Sequence, residues 1–217
     1  MNFADGLPLP EMNKIPTYKI SETFHGAIVS LRGVSENEQL PAIHYAHRHD
    51  YYIFLFMEKG QGKFLIDFEE YEMAGGTVLC ILPGQVHAPP VGNDYMNVCG
   101  WFLMTDSMLV KDEYKEVFEK GSFVKSKIKL TDIEINDLKQ CISIINRRLN
   151  SGQQPVGQNI VHTLLLSYIG MIAEIYQKGF PVSINNHPAT ITAQFKSLLS
   201  ANYQSLKRPA EYASRLN

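Results

Sequence analysis

Histidines stand at positions 47, 49 and 87, in the segments His47-Arg48-His49 and Pro83-Gly84-Gln85-Val86-His87. Imidazole changes charge near neutral pH and ligates metals through either ring nitrogen. On an extended chain residues i and i+2 face the same way, so His47 and His49 share a side. A third histidine on a neighbouring strand would complete a facial set of nitrogens for a transition metal. The same side chains serve equally well as polar groups in a small-molecule pocket. Parity carries Tyr51, Ile53 and Leu55 to the side of His47 and His49. Trp101, Tyr51 and Tyr95 offer flat surfaces on which a sugar or another small ligand could stack. His44 is a minor candidate. His25, His162 and His187 read as ordinary, partly exposed histidines.

Other chemistry finds no support in the pattern. Cys80, Cys99 and Cys141 are widely spaced, without a Cys-x-x-Cys pair, and indicate neither a disulfide framework nor a zinc knuckle. Gly60-Gln61-Gly62 follows a strand but opens no helix, so it reads as a hairpin turn rather than a phosphate loop.

The elements that must position the histidines are strands. From about residue 22 to 105, short runs rich in β-branched and aromatic residues alternate with turn residues. They are Ala27–Leu31, Tyr51–Met57, Lys63–Phe68, Thr77–Leu82 and Met96–Met104. Tyr51–Met57 is apolar on both faces and needs cover on both, such as a barrel interior and a packed outer layer. After residue 106 the period changes to that of helices. Ser107–Lys120 reads as one short helix. Thr131–Asn150 starts at a capping-box spacing, Thr131 with Glu134, and carries a stripe of Leu138, Ile142, Ile145 and Leu149. Gly152 and Pro155 break the chain. A second helix runs from about Val156 to Lys178, with Val161, Leu164, Leu165, Tyr168, Ile172 and Tyr176 on one side. The fold class is therefore α+β: an antiparallel β-barrel at about 22–105 followed by a helical hairpin at about 131–179.

The chain divides into an N-terminal arm (1–21), a main domain (22–180), a polar linker (181–189) and a locally basic tail (190–217). The proline-rich arm is either a loose tail or a strap. With 45% apolar and 19% charged residues the chain of 217 residues can bury a real core. A net charge of −2 excludes an overall basic field for nucleic acid. No signal-peptide pattern opens the chain, and the longest apolar run, Leu164–Ala173, is too short to span a bilayer. A cytoplasmic protein with no membrane partner is expected.

His47-Arg48-His49 and Pro83-Gly84-Gln85-Val86-His87 resemble the two cupin motifs, with departures. Ile53 or Phe54 stands where the first motif has Glu, and the second motif is one residue short. The order His-x-His-Asp-Tyr-Tyr, Glu-Lys-Gly-Gln-Gly, Gly-Gly-Thr-Val-Leu-Cys-Ile-Leu-Pro-Gly-Gln-Val-His and a Trp-bearing strand is closer to the sensor domains of AraC/XylS-type transcription regulators. Phe195, Leu198, Leu199 and Tyr203, followed by Pro209-Ala210-Glu211-Tyr212-Ala213 and Leu216, resemble the start of that family's helix-turn-helix domain. The resemblance covers roughly residues 20–217.

It implies a cupin-like effector-binding and dimerisation domain, followed by an incomplete DNA-binding domain that ends before its recognition helix. Implied partners are a small-molecule effector, such as a sugar, a second copy of the chain, and DNA for the full-length protein only. The helical stripes are the expected dimer surface. His47, His49, Tyr51, Ile53, His87 and Trp101 are the expected ligand-binding residues, with no catalytic residue, no metal and no cofactor. A dication held by neutral imidazoles beside Ile53 would lack charge compensation. The alternative is a metal-dependent cupin enzyme, an isomerase or dioxygenase, and a stand-alone carbohydrate-binding module is a third reading.

Overall fold

The computed structural model describes residues 15–25, 27–35, 45–67, 69–88, 96–122, 127–150, 155–179, 191, 194–195, 198–199, 202 and 205–216. The elements are β1 (Thr17–Tyr18), α1 (Ile20–Thr23), β2 (Val29–Val34), β3 (Arg48–His49), β4 (Tyr52–Ile66), β5 (Glu69–Ala74), β6 (Thr77–Ile81), β7 (His87–Ala88) and β8 (Met96–Thr105). There follow a 3-10 turn (Ser107–Leu109), α2 (Asp112–Ser122), β9 (Lys127–Lys129), α3 (Asp132–Leu149), α4 (Pro155–Gly179) and α5 (Pro209–Ala213).

β4 organises everything else. Its first half pairs antiparallel with β6 and β8, within the order β2-β8-β4-β6-β9. Its second half pairs with β5 and β7. Between the halves the register against β8 shifts twice, from Met57 to Lys59 and from Lys59 to Gln61. Gly60 adopts φ +88° at this point. A bulge built on a left-handed glycine bends a strand without ending it. The hairpin expected at Gly60-Gln61-Gly62 is therefore absent: those residues lie inside one strand of 15 residues. The reversal comes after Ile66, where Asp67 has φ +47°. β1 and β3 form a separate parallel pair, an exception to the expected all-antiparallel sheet.

The bend rolls the sheet around its own apolar side chains. Tyr51, Ile53, Leu55, Met57, Phe64, Ile66 and Leu79 form one buried cluster, the inside of the roll. Tyr52, Phe54, Phe56, Val78 and Cys80 face the other way and pack beneath the helices. Strict alternation along Tyr51–Met57 thus serves two cores. Each such burial is worth about 1.5–3 kcal/mol. Gly100 permits the close pairing of β8 on β4, since a Cβ there would lie 2.2 Å from the Phe56 carbonyl oxygen.

The helices start and stop as their sequences dictate. Glu134 Nα–H donates to Thr131 Oγ1 (3.4 Å) and Thr131 N–H donates to Glu134 Oε2 (2.8 Å), closing the capping box of α3. Ser107–Lys120 divides in two: the 3-10 turn, capped by Asp106 accepting from Met108 N–H, and then α2. Leu138, Ile142 and Ile145 of α3 and Val161, Leu165, Tyr168, Ile172 and Tyr176 of α4 are buried within the same chain, in the outer core. They do not form the free dimer surface expected of them, because the outer face of the roll already covers them. Leu149 drops out of the stripe and is exposed. Gly157–Gly179 is long and apolar enough, by length and composition, to cross a bilayer. The run-length reading missed this because isolated polar residues interrupt the helix. Its buried side packs in the outer core, against the sheet.

The linker 181–189 lies outside the described residues. In the tail, α5 begins with Pro209 at its first turn. Tyr212 is buried, meets Phe195 edge-on at 5.6 Å and donates its hydroxyl to the Leu206 carbonyl.

Candidate functional site: a buried histidine triad

The expected arm proves to be a strap over residues 15–21; residues 1–14 lie outside the described residues. β1 pairs with β3 in the register Thr17 to Arg48 and Tyr18 to His49. Arg48 N–H donates to the Pro16 carbonyl and Asp50 N–H to the Tyr18 carbonyl. The Asp50 carboxylate accepts from Ile20 N–H at 2.9 Å, tying the start of α1 to the same segment. The arm boundary drawn at residue 21 therefore falls inside α1.

The second segment is held as firmly. His47 and His87 exchange both backbone hydrogen bonds, at 3.0 and 2.9 Å. Gly84 N–H donates to the His49 carbonyl at 2.8 Å. Asp67, at the β4 reversal, accepts from Val86 N–H and from Gln85 Nε2, each at 3.0 Å. Gln85 Oε1 accepts in turn from Leu82 N–H. The Pro-Gly-Gln-Val-His loop is thus fixed from both sides, and His87 is placed against the strand that carries the other two histidines.

The three rings converge. His47, His49 and His87 are 3%, 4% and 5% exposed. Ring centroids lie 4.8 Å apart for His47 and His49, 4.3 Å for His47 and His87, and 4.8 Å for His49 and His87. One ring nitrogen from each lies within 4.8 Å of the other two, the one such group of metal-ligating side chains among the described residues. His47 Nδ1–H donates to the Tyr45 carbonyl at 3.0 Å and His87 Nδ1–H to the Gln85 carbonyl at 3.3 Å. A carbonyl only accepts, so both rings carry their proton on Nδ1 and leave the Nε2 lone pair free. His49 is different: both of its ring nitrogens are buried and make no hydrogen bond.

Burial dominates the titration of all three. Desolvation lowers the His47 pKa. Desolvation, with the neighbouring His87 and His47, pushes His49 down to about 2. Desolvation, with His47, pushes His87 down to about 3. The triad is neutral at physiological pH.

Of the sequence-nominated residues, His47, His49, His87, Tyr51 and Ile53 come together. Tyr51 meets His49 edge-on at 4.3 Å, and its buried hydroxyl makes no hydrogen bond of ordinary geometry. Ile53 joins the inner core next along the strand. Trp101 does not belong with them. The register sets it opposite Phe56, whose side chain faces the outer core. Its indole N–H donates to Glu58 Oε1 at 2.8 Å, and it lines an outer cleft of about 300 Å3 with Val34, Glu58 and Cys99. On β8 the register against β4, not local sequence, decides the face. His44 and Tyr95 lie outside the described residues.

Two neighbours of the triad escaped sequence reasoning. Tyr18 meets His47 at 5.6 Å and His49 at 6.1 Å, and Tyr45 meets His47 at 6.3 Å. The Tyr18 and Tyr45 hydroxyls hydrogen-bond to each other. Burial raises the Tyr18 pKa further above the phenol range. Tyr18 belongs to a strand of two residues whose partner is 31 positions away, which no local pattern announces.

Residues 29–97 match the AraC-like ligand binding domain family. The matched segment holds all three histidines, Tyr51 and Ile53, and stops short of Trp101. No curated protein matches the chain. Solved structures similar to it include apo ToxT, a variant from Vibrio cholerae, at 9% identity and TM-score 0.42, covering 88% of this chain and 71% of that one. The AraC-like transcriptional activator CuxR is similar at 14% identity and TM-score 0.45, covering 77% of this chain. The chain spans 56% of the length of CuxR. A cupin protein from Bacteroides fragilis is similar at 17% identity and TM-score 0.31, covering 42% of this chain and 77% of that one.

Proposed function

We propose that the chain is the sensing part of a small-molecule-responsive transcription regulator of the AraC type, cytoplasmic and not an enzyme. The observation that carries this reading is the buried polar cluster of His47, His49, His87 and Tyr51 within the segment that matches the ligand-binding family. An apolar interior with a few polar groups at one end suits an organic effector of modest size. Ile53 supplies apolar contact, and the strap residue Tyr18 closes over the histidines. An effector acts by favouring one arrangement of the protein over another. DNA recognition belongs to the full-length protein, with the tail from residue 190 as the start of its helix-turn-helix domain. Homodimerisation is retained, on the exposed apolar residues Ile144, Leu149 and Ile160 of α3 and α4 rather than on the buried stripes.

A thermal-shift screen of sugars, carboxylic acids and fatty acids tests the reading, since a ligand of the folded state alone raises apparent stability. At least one compound is expected to stabilise the wild type and to lose its effect in His87→Ala. Light scattering is expected to show a dimer. Turnover of a cupin-enzyme substrate by the pure protein would overturn the assignment.

A further inference from the structure

We infer that the triad reads a vicinal diol on an uncharged effector and turns carboxylates away. The inference rests on the regulator reading and names the chemical group that the same site recognises. Three observations carry it. The first is the direction of the hydrogen bonds. His47 and His87 each donate Nδ1–H to a backbone carbonyl, those of Tyr45 and Gln85. A neutral imidazole has one N–H and one lone pair. Each of these two rings therefore holds out an acceptor to a ligand, on Nε2, and the fold rather than the guest fixes the tautomer.

The second observation is His49, with both ring nitrogens buried and without a hydrogen bond. It has one donor and one acceptor to place. The Tyr51 hydroxyl, buried beside it, is a further donor. Buried polar groups without partners are costly, so a guest that answers them binds at an advantage. The third observation is spacing. One ring nitrogen from each histidine lies within 4.8 Å of the other two. Atoms so placed surround a point no more than ~2.8 Å from each, the length of an ordinary hydrogen bond to oxygen.

A ligand oxygen fits that point as the rings stand. One hydroxyl donates only once. Two lone pairs await donors, at His47 and His87, whose rings are the closest pair at 4.3 Å. Two adjacent hydroxyls supply both donors, and their oxygens accept from His49 and Tyr51. A carboxylate brings acceptors alone. It would set lone pair against lone pair at His47 and His87 unless a buried ring took up a proton, which desolvation opposes in all three. Beyond Tyr51 the same face turns apolar at Ile53 and Leu55, so the diol leads and an apolar part of the ligand follows.

The test uses the full chain at neutral pH with two isomeric probes, 1,2-hexanediol and 1,6-hexanediol, and with hexanoate as the acid of equal chain length. The isomers share a composition and differ only in whether the hydroxyls are adjacent, so general solvent effects cancel. Nitrogen-15 NMR of the histidine rings in the wild type requires no variant. The Nε2 signals of His47 and His87 are expected to move toward those of hydrogen-bonded acceptors on adding 1,2-hexanediol. The 1,6 isomer is expected to need about tenfold more, the factor for one hydrogen bond lost with its buried partner left unsatisfied. Hexanoate is expected to leave the signals unmoved. His87→Phe, which keeps a ring and removes the lone pair, is expected to lose the preference between isomers. His162→Gln, on the exposed side of α4, is expected to keep it. Equal response to the two isomers, response to neither, response to hexanoate, or a preference that survives in folded His87→Phe would each overturn the inference. Ring signals that move with hexanoate would leave the regulator reading standing, since an effector would still bind the site. A diol preference in a full-length protein whose promoter binding ignores every compound that moves these signals would do the reverse.

Discussion

The two faces of one strand, β4 with the residues leading into it, obey opposite rules. The outward residues Tyr52, Phe54 and Phe56 meet Phe118, Tyr168 and Tyr176 in an apolar layer that the helices seal. The inward series begins with His47 and His49, passes through Tyr51 and becomes apolar only at Ile53 and Leu55. One side spends its burial on stability. The other buries imidazoles whose nitrogens do not all find partners, an arrangement that lowers stability and is kept where function requires it. The difference sets the proposed ligand-binding end apart from the sealed face.

Acid should separate the faces most sharply. His49 and His87 titrate far below the 6.5 of a free imidazole because they are buried. Below that value the unfolded chain takes up protons that the native state refuses, so stability falls as the pH drops and continues to fall until the folded pKa values are reached. Between pH 7 and pH 5 the metal-free protein should lose about 4 kcal/mol from these two histidines together. Urea denaturation at the two pH values measures it, and a flat profile would mean that the triad is solvated.

Phe54→Ala should cost about 3 kcal/mol, the usual price of emptying a buried phenylalanine site. Phe54 is fully buried, with its ring 5.1 Å from that of Phe118. A loss below about 1 kcal/mol by urea denaturation would show that the helices do not seal this face. His49→Leu should run the other way. Replacing an unpartnered buried imidazole with an apolar group of similar size should raise the stability of metal-free protein by about 1 kcal/mol. Destabilisation would reveal a hidden partner for His49.

Trp101→Phe should have the smallest effect. It removes the indole donor to Glu58, which still pairs with Lys139, and should cost about 1 kcal/mol or less. Effector titrations should match the wild type. A lost ligand response would return Trp101 to the binding site.

What the sequence made legible was periodic. The alternation in Tyr51–Met57 announced two cores, and parity placed His47, His49, Tyr51 and Ile53 together. Thr131 and Glu134 marked the start of α3 three residues apart. What it concealed was set by partners distant in the chain. Gly60 is compatible with a turn and with a bulge, and only the pairing of β4 with β8 decides between them. The face of Trp101 depends on its register opposite Phe56. The apolar stripe of α3 does not say whether it meets a second copy or its own sheet. Tyr18 reaches the triad through a pairing that local composition does not encode.

The continuity of β4 through Gly60 has a consequence for cooperativity. A hairpin at Gly60 would have produced two ribbons able to open one after the other. A single strand whose two halves pair with different neighbours makes its loss from one set of partners a loss from the other. The amides of Phe54 and Phe64, on either side of the bend, should then exchange with deuterium through the same opening, with protection that rises and falls together as denaturant is added.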